Sequence, residues 1–293
     1  MKAAAIISLP STTLSRRWEA KHVMEVRTYI DQLQNTVHIP YPPRRIVSLV
    51  PSQTELLYHL GLDAEVVGIT KFCIHPEQWF RHKTRIGGTK QLHLEQIKAL
   101  QPDLIIANKE ENEREQVNTL MADFPVWTSD IHSLPDALSM IQQVGEITGR
   151  PEQALQLSDQ ISQQFSLLNE SLALGTRPRE AAYFIWRDPW MIAGGDTFIN
   201  TMLEAAGMHN IFSDMRRYPE ISLSQLPDAF STVAPANQFV LLSSEPYPFK
   251  ERHIDEIRSV LPEAQILLVD GEMFSWYGSR LLEAPGYFKQ LFS

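Results

Sequence analysis

Residues 45–55, Arg45-Ile46-Val47-Ser48-Leu49-Val50-Pro51-Ser52-Gln53-Thr54-Glu55, read as a strand that runs into a helix. An unbroken short apolar run is what a parallel strand covered on both faces shows. Pro51 ends it, and Ser52-Gln53-Thr54-Glu55 fits a capping box, in which the hydroxyl covers the third helical amide and the carboxylate reaches back. Leu56, Leu57 and Leu60 supply a helical apolar face, and Gly61 suits the stop. The same alternation continues downstream, with strands expected over 65–70, 103–107 and 125–128 and helices over 94–100 and 111–121. A βα series of this kind specifies a parallel sheet with helices on both faces.

Upstream, 26–30 and 36–39 are β-rich and read as a hairpin, followed by the stiff connector Tyr41-Pro42-Pro43. Beyond the first series come a helix over 134–148, an interruption at Gly149-Arg150, and a helix over 151–174 begun by Pro151. Its apolar residues are Ala154, Leu157, Ile161, Phe165, Leu168 and Leu172. A second series follows: strands over 181–186, 239–243 and 266–269, and helices over 196–206, 249–260 and 279–291, the last with a break signalled by Pro285-Gly286. Ser222-Leu223-Ser224-Gln225 is another capping box. The expected architecture is α/β: two three-layer α/β lobes with parallel sheets, joined by a single long helix. The expected divisions are a poorly ordered extension over 1–24, a first lobe over 25–149, a linking helix over 150–176 and a second lobe over 177–293.

The chain has 293 residues, with 26 Lys and Arg against 35 Asp and Glu, a net charge of −9. An acidic surface repels phosphate backbones, which excludes nucleic acid as the main partner. No apolar run reaches the ~18 residues of a membrane span. Cys73 is the lone cysteine, so an intramolecular disulfide and a Cys-rich metal site are both excluded. The apolar stretch 3–10 is too short for the core of a secretory signal, and Arg16-Arg17 follow it closely. The expected location is therefore cytoplasmic, with Met24 as an alternative start and the periplasm or cell envelope as the alternative location.

Ligands of such sheets bind at the carboxyl ends of the strands. The first lobe offers Pro51, Ser52, Gln53, Lys71, Phe72, Asn108 and Lys109 there. The second offers Trp186-Arg187-Asp188-Pro189-Trp190, Ser244-Glu245-Pro246-Tyr247 and 272–277. Aromatics concentrate in the second set, where they line a pocket for a large flat ligand or pack on their own lobe; the pattern weighs the two equally. Gly194-Gly195-Asp196-Thr197 reads as a turn with an Asp N-cap, in preference to an anion site. The histidines are scattered, and His75, His82 and His93 lack zinc-site spacing, so no protein-only metal site is expected. Gly-x-Ser-x-Gly is absent, the capping role accounts for Ser52, and Cys73 suits a buried small hydrophobe; no enzymatic set assembles.

Residues 45–55, the helix-to-strand run Leu94-Glu95-Gln96-Ile97-Lys98-Ala99-Leu100-Gln101-Pro102-Asp103-Leu104-Ile105-Ile106, and the stretches 193–197 and 206–212 together resemble the helix-linked substrate-binding proteins of ABC importers, in matching order over about residues 25–290. The stretch 272–280 is similar to a version found in the vitamin B12-binding branch, the helical-backbone metal receptors. The resemblance implies a non-enzymatic receptor that holds a corrinoid, haem or siderophore between rigid lobes, with the metal arriving in the ligand and no cofactor held permanently. It implies that Trp186, Trp190, Trp276 and Tyr277 flank the ligand, joined by Tyr247, with Pro51, Ser52 and Phe72 on the opposite wall. It implies docking of an importer's membrane subunit near Glu113 and Glu115; at the matching place in the second lobe Ser224 stands where Glu is expected. The competing reading is a cytoplasmic tetrapyrrole-handling protein or enzyme on the same frame, acting through Asp196, His209 or Glu272. For an anionic siderophore, Lys71, Arg187 and Arg280 are the available cations.

Overall fold

The structure, a computed structural model, describes residues 25–173 and 179–291. The 1–24 extension and the chain between the long helix and the second lobe lie outside the described residues. The hairpin is present as β1 (Glu25–Ile30) and β2 (Thr36–Tyr41), antiparallel. It is followed by β3 (Ile46–Ser48), α1 (Pro51–His59), β4 (Val66–Ile69), α2 (Glu77–His82), β5 (Thr84–Arg85), α3 (Leu94–Ala99), β6 (Leu104–Asn108), α4 (Arg114–Met121), β7 (Val126–Ser129) and α5 (Leu134–Thr148). The sheet order is β5-β4-β3-β6-β7, all parallel. Every residue of β3 and β6 is buried, as their unbroken apolar runs require.

Helix α6 (Pro151–Ala173) then spans about 34 Å at ~1.5 Å per residue. The second lobe contains β8 (Arg179–Trp186), β9 (Met191–Ile192), α7 (Phe198–Ala205), β10 (Met208–Asn210), α8 (Leu226–Ala229), β11 (Gln238–Ser243), α9 (Glu251–Arg258), β12 (Gln265–Val269), α10 (Glu272–Ser275) and α11 (Ala284–Leu291). Its parallel order is β10-β8-β11-β12, with β9 antiparallel to β8.

Strand β8 shows how the cores are divided. Ala182 and Phe184 face a core that belongs to the second lobe alone, with Val240, Leu242 and Phe230. Ala181, Tyr183 and Ile185 face the other way, into a core continuous with that of the first lobe. Leu157, Ile161 and Leu168 of α6, and Phe274, Leu281 and Phe288 near the chain's end, belong to this shared core. The lobes are thus fused through apolar packing as well as by one helix.

Two expected caps are corrected. Helix α1 begins at Pro51 itself, with Val50 as N-cap and no side-chain cap bond. Proline is pre-set for the first helical position, so Ser52 falls inside the helix and Glu55 is released for another partner. At α7, Thr197 caps through its hydroxyl, whereas Asp196 accepts the backbone N–H of Arg217. The boxes at Ser133–Asp136 and Ser222–Gln225 form, and Gly149 closes α5 in the left-handed conformation.

Candidate functional site

Side chains that follow the carboxyl ends of strands in both sheets meet where the lobes touch. Arg280, in a short 3-10 turn, donates to Glu55 of α1 at 2.6 Å and lies 3.2 Å from Glu272. All three are largely buried. His75 approaches Glu272 at 3.5 Å, and its ring meets that of Trp276 edge-on at 5.8 Å. On the other flank, Arg217 reaches Glu110 at 2.8 Å and Thr201 donates to the His132 carbonyl at 2.9 Å. Gly194 N–H to Arg217 O and Gly195 N–H to Met215 O hold the loop that carries Arg217. A Cβ on Gly195 would lie 2.0 Å from the Ser213 carbonyl, so only glycine permits this approach.

Carboxylates gather at this junction. Glu111 follows β6, and burial, together with the charges of Glu245 and Glu110, pushes it up to about 7 against the pull of Lys90. Burial likewise pushes Glu272 up to about 7, opposed by Arg280 and reinforced by Glu245, Asp270 and Glu283. Glu245 is raised by burial, although Ser275 Oγ (2.6 Å) and Trp276 Nε1 (2.9 Å) both donate to its Oε1. A carboxyl raised above its ordinary 4.5 loses stability on ionising, a penalty absent below about pH 4.5 and complete above about pH 7. Glu111→Gln is therefore expected to raise stability by about 1–2 kcal/mol at pH 8 and to leave it unchanged near pH 4.5, measured by urea unfolding. An equal effect at both pH values would assign it to side-chain shape.

The expected ligand residues fall into three environments. Phe72 and Trp186 are 51% and 39% exposed at the rim, and Trp186 meets Tyr247 edge-on at 5.7 Å. Pro51 is partly exposed at the start of α1. Trp190 stacks on Phe249 and meets Phe184 inside its own lobe, which is the packing alternative the sequence left open. Ser52, Trp276 and Tyr277 are buried where the lobes touch. Glu113 and Glu115 are exposed at the start of α4, with Lys90 3.5 Å from Glu113. Ser224 is exposed beside Ser222.

Asp196, His209 and Glu272 do not assemble. His209 pairs with Glu180 at 2.6 Å near the start of β8, the sheet end away from the cleft. Among the described residues no cluster of three or more His, Cys, Asp or Glu could hold a metal ion. Cys73 is fully buried between Thr54 and Thr70, and burial raises its thiol. A depression of about 510 Å³ lies beside the hairpin, lined by Arg27, Tyr29, Tyr41 and Glu146. It sits at the last turn of α5, remote from the strand ends that carry the chemistry. The sequence reading passed over Glu110 and Glu111, although they directly follow the β6 residues it placed in the cleft.

A family model described as periplasmic binding protein matches residues 46–237, about two thirds of the chain. The chain belongs to this family. It is 28% identical over 184 residues to the vitamin B12-binding protein of Yersinia pestis, covering 62% of this chain and 65% of that protein; the chain thus spans just under two thirds of the length of this relative. Among solved structures, the periplasmic vitamin B12 binding protein of Vibrio cholerae superposes with a TM-score of 0.70 at 22% identity, covering 85% of this chain and 98% of its own. A periplasmic heme binding protein from Pseudomonas aeruginosa superposes with a TM-score of 0.72 at 20% identity, covering 85% and 92%. At such identity these two establish the fold. The cytoplasmic location expected from the N-terminus is overturned, because the family and these relatives are periplasmic binding proteins. No helix among the described residues is long and apolar enough to cross a membrane.

Proposed function

We propose that the protein is a non-enzymatic receptor that binds a metal-bearing chelate, a corrinoid foremost, between its lobes and presents it to the membrane subunit of an ABC importer. The observation that carries the reading is the aromatic rim, with exposed Phe72 on one lobe and exposed Trp186 against half-buried Tyr247 on the other, at the strand ends of a periplasmic binding protein. Large flat ligands are held by such faces without covalent chemistry. In this reading 25–149 and 177–293 form the two walls and 150–176 the spine. The metal comes and goes with the ligand, and the protein keeps no cofactor of its own. Glu113 and Glu115 are the first-lobe docking carboxylates, and Ser224 supplies no charge at the matching place on the second.

Titration with cyanocobalamin, followed by tryptophan quenching and co-elution of the coloured ligand, tests the reading. A stoichiometric complex of micromolar affinity or tighter, about −8 kcal/mol, is expected. Trp186→Ala and Phe72→Ala should each weaken it about tenfold or more, with thermal stability retained because both rings are exposed. Unchanged affinity in both variants would move the ligand away from this rim.

A further inference from the structure

The ion pairs that join the lobes differ in burial. On one side Arg280 is held between Glu55 and Glu272 with 12% of its side chain exposed, in a turn that also packs on α1 and α6. Breaking a pair so deeply placed strands its charges, which keeps it shut. On the other side Arg217 meets Glu110 at 2.8 Å, with 45% and 30% of the two side chains exposed. Water and salt screen a pair this exposed, and it opens at little cost.

Each end of the exposed pair is aimed by its own lobe. Glu110 follows the carboxyl end of β6. Its N–H donates to Oδ1 of the buried Asn108 at 2.8 Å, and Lys90 Nζ donates to its carbonyl at 2.8 Å. Asn112, also buried, ties the same loop to the Leu49 and Thr89 carbonyls. Across the junction Arg217 has a φ of 60°, a left-handed conformation uncommon in a residue with a long side chain. Its N–H donates to Asp196 Oδ1 and its carbonyl accepts the Gly194 N–H, so it is pinned on both sides. Strain of this kind persists only where the surroundings over-determine it, and it gathers at clamps and switches. Here it points one long side chain at the other lobe.

We infer that Arg217 and Glu110 form a releasable latch across the ligand's path: closed, it bars one side of the lobe junction; open, it lets the ligand in or out; and it makes no contact with the bound ligand. The inference rests on the receptor reading above and adds how ligand is exchanged. The lobes share an apolar core and are pinned at Arg280, so they do not part as bodies. The backbones at both ends of the exposed pair are tied within their own lobes, which leaves the two side chains as the part that yields. A side chain that spans the junction beside the carboxyl end of β6 lies where ligands of such sheets sit.

Stopped-flow tryptophan quenching with cyanocobalamin reads the latch as a rate. Arg217→Met and Glu110→Gln should each raise the association and dissociation rate constants by the same factor, about two- to fivefold, and leave Kd unchanged. Loss of a ligand contact would act mainly on dissociation. The double variant should gain no more than either single one. Cyanocobalamin carries no net charge, so salt does not steer its encounter. Added salt should therefore speed both steps in the unmodified protein, by weakening the latch, and leave the variants unmoved. Both side chains reach the surface, so the variants are expected to fold. The opposite state is made with Arg217→Cys/Glu110→Cys joined by a short reducible bis-thiosulfonate linker, for which the fully buried Cys73 does not compete. The linked protein should load and release cyanocobalamin about tenfold more slowly or worse, and a thiol reductant should restore both rates. Unchanged rates in the single variants, a rise in dissociation alone, a linker that cannot join the two positions, or a linked protein that exchanges ligand freely overturns the inference and leaves the receptor reading standing. Failure of the unmodified protein to bind cyanocobalamin overturns both.

Discussion

Replacing Arg280 by methionine is expected to destabilise the protein by about 3–5 kcal/mol at pH 8, and by much less at pH 5.5. Arg280 is 12% exposed in its side chain, between Glu55 at 19% and Glu272 at 16%. Methionine keeps much of the volume and removes the charge that neutralises two buried carboxylates. Both acids are already raised by burial, Glu272 up to about 7, and without the guanidinium they rise further. Below those values they take up protons and the loss shrinks; above them the full repulsion remains. Urea unfolding at the two pH values measures this. A loss under about 1 kcal/mol at pH 8, or the same loss at both, would mean that the bridge contributes little. Combining Arg280→Met with Glu55→Gln and Glu272→Gln should recover most of the stability, because no unpaired charge is then left buried.

The second large effect belongs to Gly278, which lies between the buried pair Trp276-Tyr277 and the turn that carries Arg280. A Cβ here would lie 2.6 Å from the Ser52 carbonyl and 3.3 Å from Leu56 Cβ, both on α1. Neither can swing aside, so Gly278→Ala must push the turn off the helix. The expected cost is about 2–3 kcal/mol. Because Tyr277 moves with the turn, cyanocobalamin affinity should fall together with stability. Gly286, two residues into α11, is the control: a Cβ there meets nothing within 4 Å. Gly286→Ala should be neutral, or stabilising by up to about 1 kcal/mol. Equal thermal midpoints for the two variants would show that close approach at Gly278 is immaterial.

The expected helix over 134–148 matches α5 end for end, because Ser133, Pro135 and Gly149 mark it by purely local chemistry. Strands β5, β9 and β10 went unread: runs of two or three residues carry no periodicity, and their pairing is decided by neighbours far off in the chain. The capping box at Ser52 failed because two local signals competed, and the proline at the first helical position took the helix start. The positions of Phe72, Trp186 and Tyr247 at or just after strand ends were legible from the βα alternation. The carboxylates of the lobe junction were less so. Glu55 and Arg280 are 225 positions apart, and nothing in either local stretch announces the other. Of the three cations left open for an anionic ligand, Arg280 and Arg187 are spent on acids of the chain itself, Arg187 on Glu256 and the adjacent Asp188.

That separation also sets a timetable for synthesis. The first lobe emerges early from the ribosome with its sheet nearly complete. Yet the flank of α1 that receives Gly278 and Arg280, and the side of α6 that receives the same turn and α11, stay uncovered until residues 278–291 have been made. Until that segment folds back, the chain carries an apolar seam and a lone Glu55, the condition in which chaperones are needed and aggregation competes. The segment 278–291 closes the seam, so the junction of the lobes is finished by chain remote in sequence from both helices that it covers.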